Sequence, residues 1–433
     1  MVVANVLLWG KHVGAVLWNY DKGYATFEFE AGFLKSGLDI APLTMPLANT
    51  NKGDIFQFAQ LPKETFQGLP GLLSDALPDR FGNQLIDLWL ASQGRNKTSM
   101  SPVERLCYMG TRGMGALEFE PTERNEKEPS KGLEIGALVE LSKKALSIKE
   151  SFDSQLTAQH GEDAETFADI IKVGTSAGGA RAKAVIAYNE NTGEVRSGQL
   201  ISPEGFEHWL IKFDGVTNEQ LGDPKGYGRI EYAYYKMAID TGIVMMPSKL
   251  LEEHDRAHFM TKRFDRIANN EKLHMQTLCG LCHFDYNNPE AYAYEQAFQA
   301  MRQLRLPYSD AEQLYMRMTF NIIARNQDDH TKNISFLMDK SGTWSLSPAY
   351  DVSYAYNPAN KWIAKHQLAV NGKRENITRE DLLAVAKQMN IKKPKEIIDR
   401  IIGVVSNWNM YAQDAGVPKN QITALGKTHL LKM

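Results

Sequence analysis

Cysteine is scarce in this chain: Cys107, Cys279 and Cys282 are the only three in 433 residues, too few for a disulfide framework. Such usage is expected of a protein kept in the reducing cytoplasm. Long apolar runs are missing as well. None approaches the ~18 residues of a spanning helix, so no membrane segment is expected. The stretch Met1 to Gly10 carries neither a basic n-region nor a full h-region, and it reads as a first strand rather than a signal peptide. Charge of one sign is also lacking. With 49 Lys+Arg against 52 Asp+Glu the formal net charge is -3, which excludes a general attraction to nucleic acid and leaves any DNA contact to a local patch or a partner. There is no internal repeat and no low-complexity tract. What remains has the 43% apolar and 23% charged composition of a globular enzyme, with length for two or three domains.

Three apolar segments, Asn5 to Trp9, Val13 to Trp18 and Tyr24 to Phe29, are separated by Gly and Asp-Lys-Gly turns and predict a small antiparallel sheet. Helical patterns follow over Leu72 to Leu90 and Pro102 to Tyr108, and Gly115 to Phe119 reads as a closing strand. Pro121 to Gly132 is charged, carries two prolines and reads as a linker. Leu133 to Ile148 and Ala164 to Val173 are expected to be helical. Strands and turns then alternate around one helix up to Asp265, and Arg266 to Met433 is mostly helical. The resulting division is 1–132, 133–265 and 266–433.

The most informative stretch is Asn326-Gln327-Asp328-Asp329-His330-Thr331-Lys332-Asn333, followed after one hairpin's length by Tyr350-Asp351. Phosphoryl transfer of the kinase type needs a carboxylate to accept the nucleophile's proton, and an Asn and a second carboxylate to hold magnesium against the triphosphate. Asp328 and Asn333 are five residues apart, the spacing of base and metal ligand in a protein-kinase catalytic loop. Ser309-Asp310-Ala311-Glu312 has a capping-box pattern, and Leu314, Met318 and Ile322 recur at helical spacing, so a helix should deliver the loop. Ile334 to Met338 and Trp344 to Leu346 read as hairpin arms about the turn Asp339-Lys340-Ser341-Gly342. That hairpin should return Asp351 to the side of Asn333, where a shared magnesium ion needs both.

Upstream, Gly174 to Lys183 is a run of small residues before a strand at Ala184 to Tyr188. Backbone amides of such a loop can approach phosphate oxygens closely, although a plain flexible turn has the same composition. In His208-Trp209-Leu210-Ile211-Lys212-Phe213 the alternation puts Lys212 on the face opposite Trp209, Ile211 and Phe213. A strand lysine beside a Gly-rich loop suits phosphate binding; an edge lysine that protects a sheet is the plainer alternative. Glu231 could pair with Lys212, but a carboxylate in a first helical turn is expected to be solvated. Met260 to Arg266 would cross towards the catalytic part, with backbone groups facing an adenine. Cys279-Gly280-Leu281-Cys282-His283 matches dithiol and haem-attachment patterns, yet it lacks the surrounding signals of either, and the thiols read as packing groups.

In this order these residues resemble the HipA family of bacterial serine/threonine protein kinases, toxins of HipBA-type toxin-antitoxin modules. The resemblance also takes in Leu77-Pro78-Asp79, Val103-Glu104-Arg105-Leu106 and Gly115-Ala116, and so spans nearly the whole chain. It implies an α+β, bilobal protein-kinase-like fold with an added N-terminal small β-sheet/helix domain and a mostly helical C-lobe. Asp328 becomes the catalytic base, and Asn333 and Asp351 the magnesium ligands. ATP would be met by Gly178, Gly179, Ala180, Arg181, Ala182, Lys183, Lys212, Lys262, Arg263, Phe264, His330, Thr331, Lys332, Asn333, Tyr350 and Asp351, with His330 bonding phosphate unless it caps or packs. Ser176 matches a loop serine whose autophosphorylation silences the kinase, since about two negative charges would repel ATP phosphates; Thr175 is a neighbouring rival. The chain departs from other members at Lys262, where several carry glutamate, and at Arg181-Ala182-Lys183, where others carry Gln-Glu-Lys. The implied partners are a HipB-like helix-turn-helix antitoxin, operator DNA mainly through that antitoxin, and a protein substrate related to translation, such as glutamyl- or tryptophanyl-tRNA synthetase. A kinase-shaped, non-catalytic co-repressor and a small-molecule or lipid kinase are the rival expectations.

Overall fold

The computed structural model describes residues 2–78, 80–92, 94–121, 182–198, 204–215, 226–253, 255–267 and 271–433. The expected linker beyond residue 121, the expected helices at 133–148 and 164–173, and the site residues Ser176, Gly178, Gly179, Ala180 and Arg181 lie outside the described residues.

Among the described residues the chain is mixed, with three antiparallel sheets and helices packed against them. The first sheet contains β1 (Val2–Leu8), β2 (Lys11–Asn19), β3 (Tyr24–Phe29), β4 (Ile55–Gln57) and β5 (Leu117–Glu120) in the order β4-β3-β2-β1-β5. The three opening strands fall where the apolar alternation puts them: Ala4, Val6 and Leu8 are buried while Val3 points outward. The closing strand starts at Leu117 rather than Gly115. Gly115 has φ +79° and gives its N–H to the Asp265 carboxylate, so it cannot enter the ladder. The single helix expected over 72–90 is broken into Gly71–Ser74 and Arg80–Ser92, because Pro78 has no N–H to continue it. The helix Pro102–Met109 is opened by a capping box between Ser101 and Glu104.

The second sheet contains β6 (Lys183–Tyr188), β7 (Val195–Ser197), β8 (Glu207–Lys212), β9 (Ser248–Glu253) and β10 (Arg256–Lys262) in the order β7-β6-β8-β10-β9, with the helix Tyr227–Asp240 packed on β10 and β9. The third contains β11 (His274–Thr277), β12 (Ser335–Met338) and β13 (Trp344–Leu346) in that order. The hairpin β12/β13 matches the sequence expectation, with Asp339 accepting the N–H groups of Ser341 and Thr343, and Gly342 supplying φ +85° in the turn.

The delivering helix is Tyr308–Ile323, but its N-cap is Pro307, so Ser309 does not form the expected capping box. Asp310 is used differently: its carboxylate accepts the Leu346 N–H at 2.8 Å and ties the helix start to β13. This helix joins Tyr227–Asp240, Tyr294–Gln303, Arg379–Met389, Pro394–Ser406 and Trp408–Asp414 around a core that includes Tyr234, Phe320, Ile398 and Trp408.

A second core belongs to the N-terminal sheet, and the third sheet completes it. Met338 is fully buried in it, and Trp344 packs against it while its indole N–H donates to Asp39 O at 3.3 Å. Further ties cross the same boundary. His274 Nε2 donates to Ile40 O, and Arg263 and Arg266 grip the Gly113 and Gly115 carbonyls while pairing with buried Asp265. Burial alone would raise the Asp265 pKa, but the two guanidinium groups hold it well below the usual carboxylate range.

Asp75 makes another such tie, accepting from the Thr277 N–H and hydroxyl at 2.8 Å. Here burial outweighs Lys332 and the Thr277 bonds, and pushes the carboxyl up to about 6. An acid whose folded pKa lies above its unfolded value of 3.8 makes the folded state less stable as pH rises through the interval from 3.8 to about 6. Asp75→Asn keeps an acceptor oxygen and cannot ionise. It should therefore be more stable than the parent at about pH 8, by about 1 to 3 kcal/mol, with the gap closing near pH 4. Urea unfolding of both proteins at the two pH values tests this; a gap independent of pH would rule it out.

Candidate active site

The helix Tyr308–Ile323 ends in a left-handed residue, Arg325 (φ +59°), and the loop 326–333 follows. Two adjacent carboxylates take opposite positions in it. The Asp328 side chain is 51% exposed, whereas Asp329 is 3% exposed. Only the first is accessible to an acceptor hydroxyl. Asn333 Nδ2 donates to Asp328 O at 2.7 Å, so the two ends of the Asp328–Asn333 stretch are pinned together. Asn333 and Asp351 line one cavity together with Asn326, Asp329 and His330.

His330 Nε2 lies 4.0 Å from Asp328 Oδ1, and its ring is tilted against Tyr286. The Nδ1 atom is buried and has no hydrogen-bond partner among the described residues. Thr331 is buried, its hydroxyl donating to Phe284 O, and the Lys332 ammonium sits 4.6 Å from the centre of the Tyr286 ring. The Lys332 carbonyl accepts from the Tyr350 hydroxyl at 2.5 Å, and Ser335 also hydrogen-bonds that hydroxyl. The Tyr350 ring packs against Phe264 with centroids 5.5 Å apart, and burial pushes its hydroxyl pKa well up.

Asp351 is left-handed at φ +52°. Its Oδ1 meets Lys212 Nζ at 2.5 Å, and the same ammonium pairs with Glu231. Burial tends to raise the Asp351 pKa, but Lys212 and Lys183 prevail and hold it at about 2. For Lys212 burial tends to lower the pKa, while Asp351 and Glu231 raise it above the usual lysine value. The register of β6 and β8 sets Lys183 directly opposite Lys212, and Lys183 is also buried. Two cations thus flank Asp351.

Glu231 corrects the sequence reading, which had it solvated in a first turn. It is 2% exposed and paired. The helix Tyr227–Asp240 buries the face that carries Ile230, Tyr234 and Met237, and the close approach of Gly228 to Ala257 O brings this turn onto the sheet.

On the crossing strand, the Lys262 ammonium meets Glu207 at 2.5 Å, and its N–H donates to Pro247 O. The Arg263 guanidinium is committed to Asp265 and Gly113, so only its backbone is directed elsewhere. Ala182 is buried at the entry to β6. The motif at Cys279 to His283 does not join the site. Burial pushes both thiols up to about 12, the reverse of a reactive thiolate, and His283 Nε2 accepts the Gly71 N–H at the boundary with the N-terminal domain.

Asp351 and Asn333 present the oxygen donors that a magnesium ion requires, and Lys183 and Lys212 the charge that a triphosphate requires. Sequence reasoning missed the Lys183–Lys212 pairing, the burial of Glu231 and the bonds of Asp329. The first follows from strand register, which a single sequence does not display.

Fold and site together define a class of chain in which an N-terminal sheet domain is docked on a larger part carrying a buried lysine-carboxylate cluster beside an Asp-x-x-x-x-Asn loop. A family model described as the HipA-like C-terminal domain matches residues 175–408, and one described as the HipA N-terminal domain matches residues 4–120. The chain belongs to the HipA family. Among solved structures it is similar to a chain of the Shewanella oneidensis MR-1 toxin-antitoxin complex of HipA, HipB and operator DNA. The TM-score is 0.65 at 16% identity, over 99% of this chain and 96% of that one, a likeness of fold. A second likeness, to the Helicobacter pylori proinflammatory kinase CtkA, has a TM-score of 0.34 at 12% identity over 52% of this chain and 88% of that one, too loose to build on. No curated protein matches the sequence. No helix among the described residues is long and apolar enough to cross a membrane.

Proposed function

We propose that this chain is an ATP- and magnesium-dependent serine/threonine protein kinase of bilobal, kinase-like layout, acting in the cytoplasm as the toxin of a HipBA-type module. The observation that carries the reading is the clasp of Lys212 by Glu231 and Asp351, with the exposed Asp328 tied to Asn333 nearby. Residues 133–265 would cover the nucleotide and residues 266–433 supply the catalytic loop, with residues 1–132 docked on them.

Asp328 accepts the proton of the acceptor hydroxyl as that oxygen attacks the terminal phosphorus of ATP and the bond to the departing ADP oxygen breaks. Lys212 and Lys183 face the negative charge on the phosphates. Asp351, kept ionised by those lysines, and Asn333 would hold magnesium, which neutralises phosphate charge when bound. His330, next to Asp328, would donate to a phosphate oxygen.

The docked N-terminal domain and the Shewanella complex support a HipB-like helix-turn-helix antitoxin as partner, with operator DNA reached mainly through it. A net charge of -3 fits that division of labour. The substrate would be a cytosolic protein of translation, such as an aminoacyl-tRNA synthetase, and phosphorylation of Ser176 would silence the enzyme.

Intact mass and peptide mapping before and after addition of ATP and magnesium test the reading, with Asp351→Ala as control. A gain of one phosphate on Ser176, absent from the control, is expected. A parent with unmodified Ser176 that labels neither itself nor any protein of a cell extract would overturn it.

A further inference from the structure

We propose that Asp329 is a positioning residue for phosphoryl transfer, holding the base Asp328 and the metal ligand Asp351 in one rigid unit. This rests on the kinase reading above.

The Asp329 carboxylate is buried and, among the described residues, no lysine or arginine pairs with it. Three donors converge on it: Gln367 N–H at 2.7 Å, His366 Nδ1 at 2.9 Å and the Tyr294 hydroxyl at 2.8 Å. A carboxylate can only accept, so His366 carries its proton on Nδ1 and Tyr294 points its single proton at Asp329. The Tyr294 oxygen is then left to accept, and it does so from Asn321 Nδ2 at 3.0 Å. Asn321 Oδ1 accepts from Asn326 Nδ2 at 3.0 Å, and that same amide reaches Asp351 O at 3.4 Å. From the Asn326 amide, hydrogen bonds are donated one way through Asn321 and Tyr294 to Asp329, beside the base, and the other way to the backbone carbonyl of the metal ligand Asp351.

Both ends need fixing. Arg325 and Asp351 are left-handed, a conformation that non-glycine residues hold only under outside constraint. Asp328 is meanwhile bracketed by its neighbours. Gln327, with its amide turned to satisfy both ends, donates to Ile363 O and Ala364 O at 3.0 and 3.1 Å and accepts from Arg325 Nη1 at 3.2 Å. On the other side Asp329 binds His366 and Gln367, and Gln367 in turn donates to Trp362 O. The backbone on either side of the base is thus laced to one segment, 362–367, while the Asp328 side chain stays half exposed. Charge-assisted bonds of this kind are stronger than neutral ones. An asparagine at 329 would turn a donor towards at least one of three donors.

The test compares the parent with Asp329→Asn and Tyr294→Phe. Thermal melts establish the folded fraction, a non-hydrolysable ATP analogue titrated without metal gives nucleotide affinity, and labelled ATP over a magnesium series gives the transfer rate. Both variants should keep analogue affinity within about two-fold, lose about 10- to 100-fold in transfer rate per folded molecule, and need more magnesium for half-maximal rate. If Asp329→Asn fails to fold, Tyr294→Phe, which removes one hydroxyl, decides the matter. A transfer rate within about two-fold of the parent, or a loss of analogue affinity as large as the loss of rate, would overturn the proposal. The parent is assayed first: if it transfers no phosphate, the kinase reading falls and this inference with it, an outcome distinct from an active parent with indifferent variants.

Discussion

Asp328→Asn is expected to lower phosphoryl transfer by about 100- to 10,000-fold, the usual worth of a positioned general base. The fold should be unaffected, within about 0.5 kcal/mol, because the side chain is half exposed and Asn333 bonds the backbone carbonyl at 328 rather than the carboxylate. Nucleotide affinity should also persist, since the lysines and Asp351 remain. The measurement is transfer rate from labelled ATP beside a melting curve and an analogue titration. A variant that retains more than about a tenth of the parent rate would mean that Asp328 is not the base, and the neighbouring Asp329, buried and fully bonded, is no substitute.

Lys212→Met should fail in two ways at once. Removing the ammonium leaves Glu231, 2% exposed, beside Asp351 with no cation between them. Breaking a buried pair from one side costs about 3 to 5 kcal/mol, because the surviving charge stays desolvated. The loss depends on pH. In the parent, the depressed Asp351 pKa contributes stability that is fully present above its unfolded value of 3.8 and lost as pH falls through about 2. Without Lys212 only Lys183 is left to oppose burial, so that carboxyl rises from its depressed value, and the gap between parent and variant should be widest near neutral pH and should narrow as the carboxyl is protonated at acid pH. Activity should fall by at least about 100-fold, as for loss of a preorganised charge at the reacting group. Urea unfolding at several pH values and a transfer assay on the folded fraction test both; equal stability at neutral pH would show that the pair is solvated.

The local devices of this site were legible in the sequence. The turn at Asp339 to Gly342 and the alternation around Lys212 each depend on neighbours within a few residues, and each stands where that chemistry put it. Errors came where a distant group decided. Ser309 looks like an N-cap, but Pro307 with extended backbone opens the helix and Asp310 is drawn to Leu346. Glu231 looks solvated by its place in a helix, but packing of that helix on β10 buries it. Gly115 reads as strand until Asp265, 150 residues on, takes its N–H. Asp329 draws on residues 294, 366 and 367, a set with no sequence period at all.

The insertion of Met338 and Trp344 into the N-terminal core has a bearing on how the chain is made. Trp344 follows Asp39, the residue whose carbonyl it bonds, by 305 positions. At a synthesis rate of about 5 to 20 residues per second, Asp39 leaves the ribosome about 15 to 60 s before Trp344, and even the last strand of the first sheet precedes it by about 11 to 45 s. During that interval this core lacks Met338 and the packing of Trp344. When residues 335–346 arrive, they close this core and set the hairpin that leads to Asp351 in a single event. The oldest part of the nascent chain and the hairpin that leads to Asp351 are therefore completed by the same late residues.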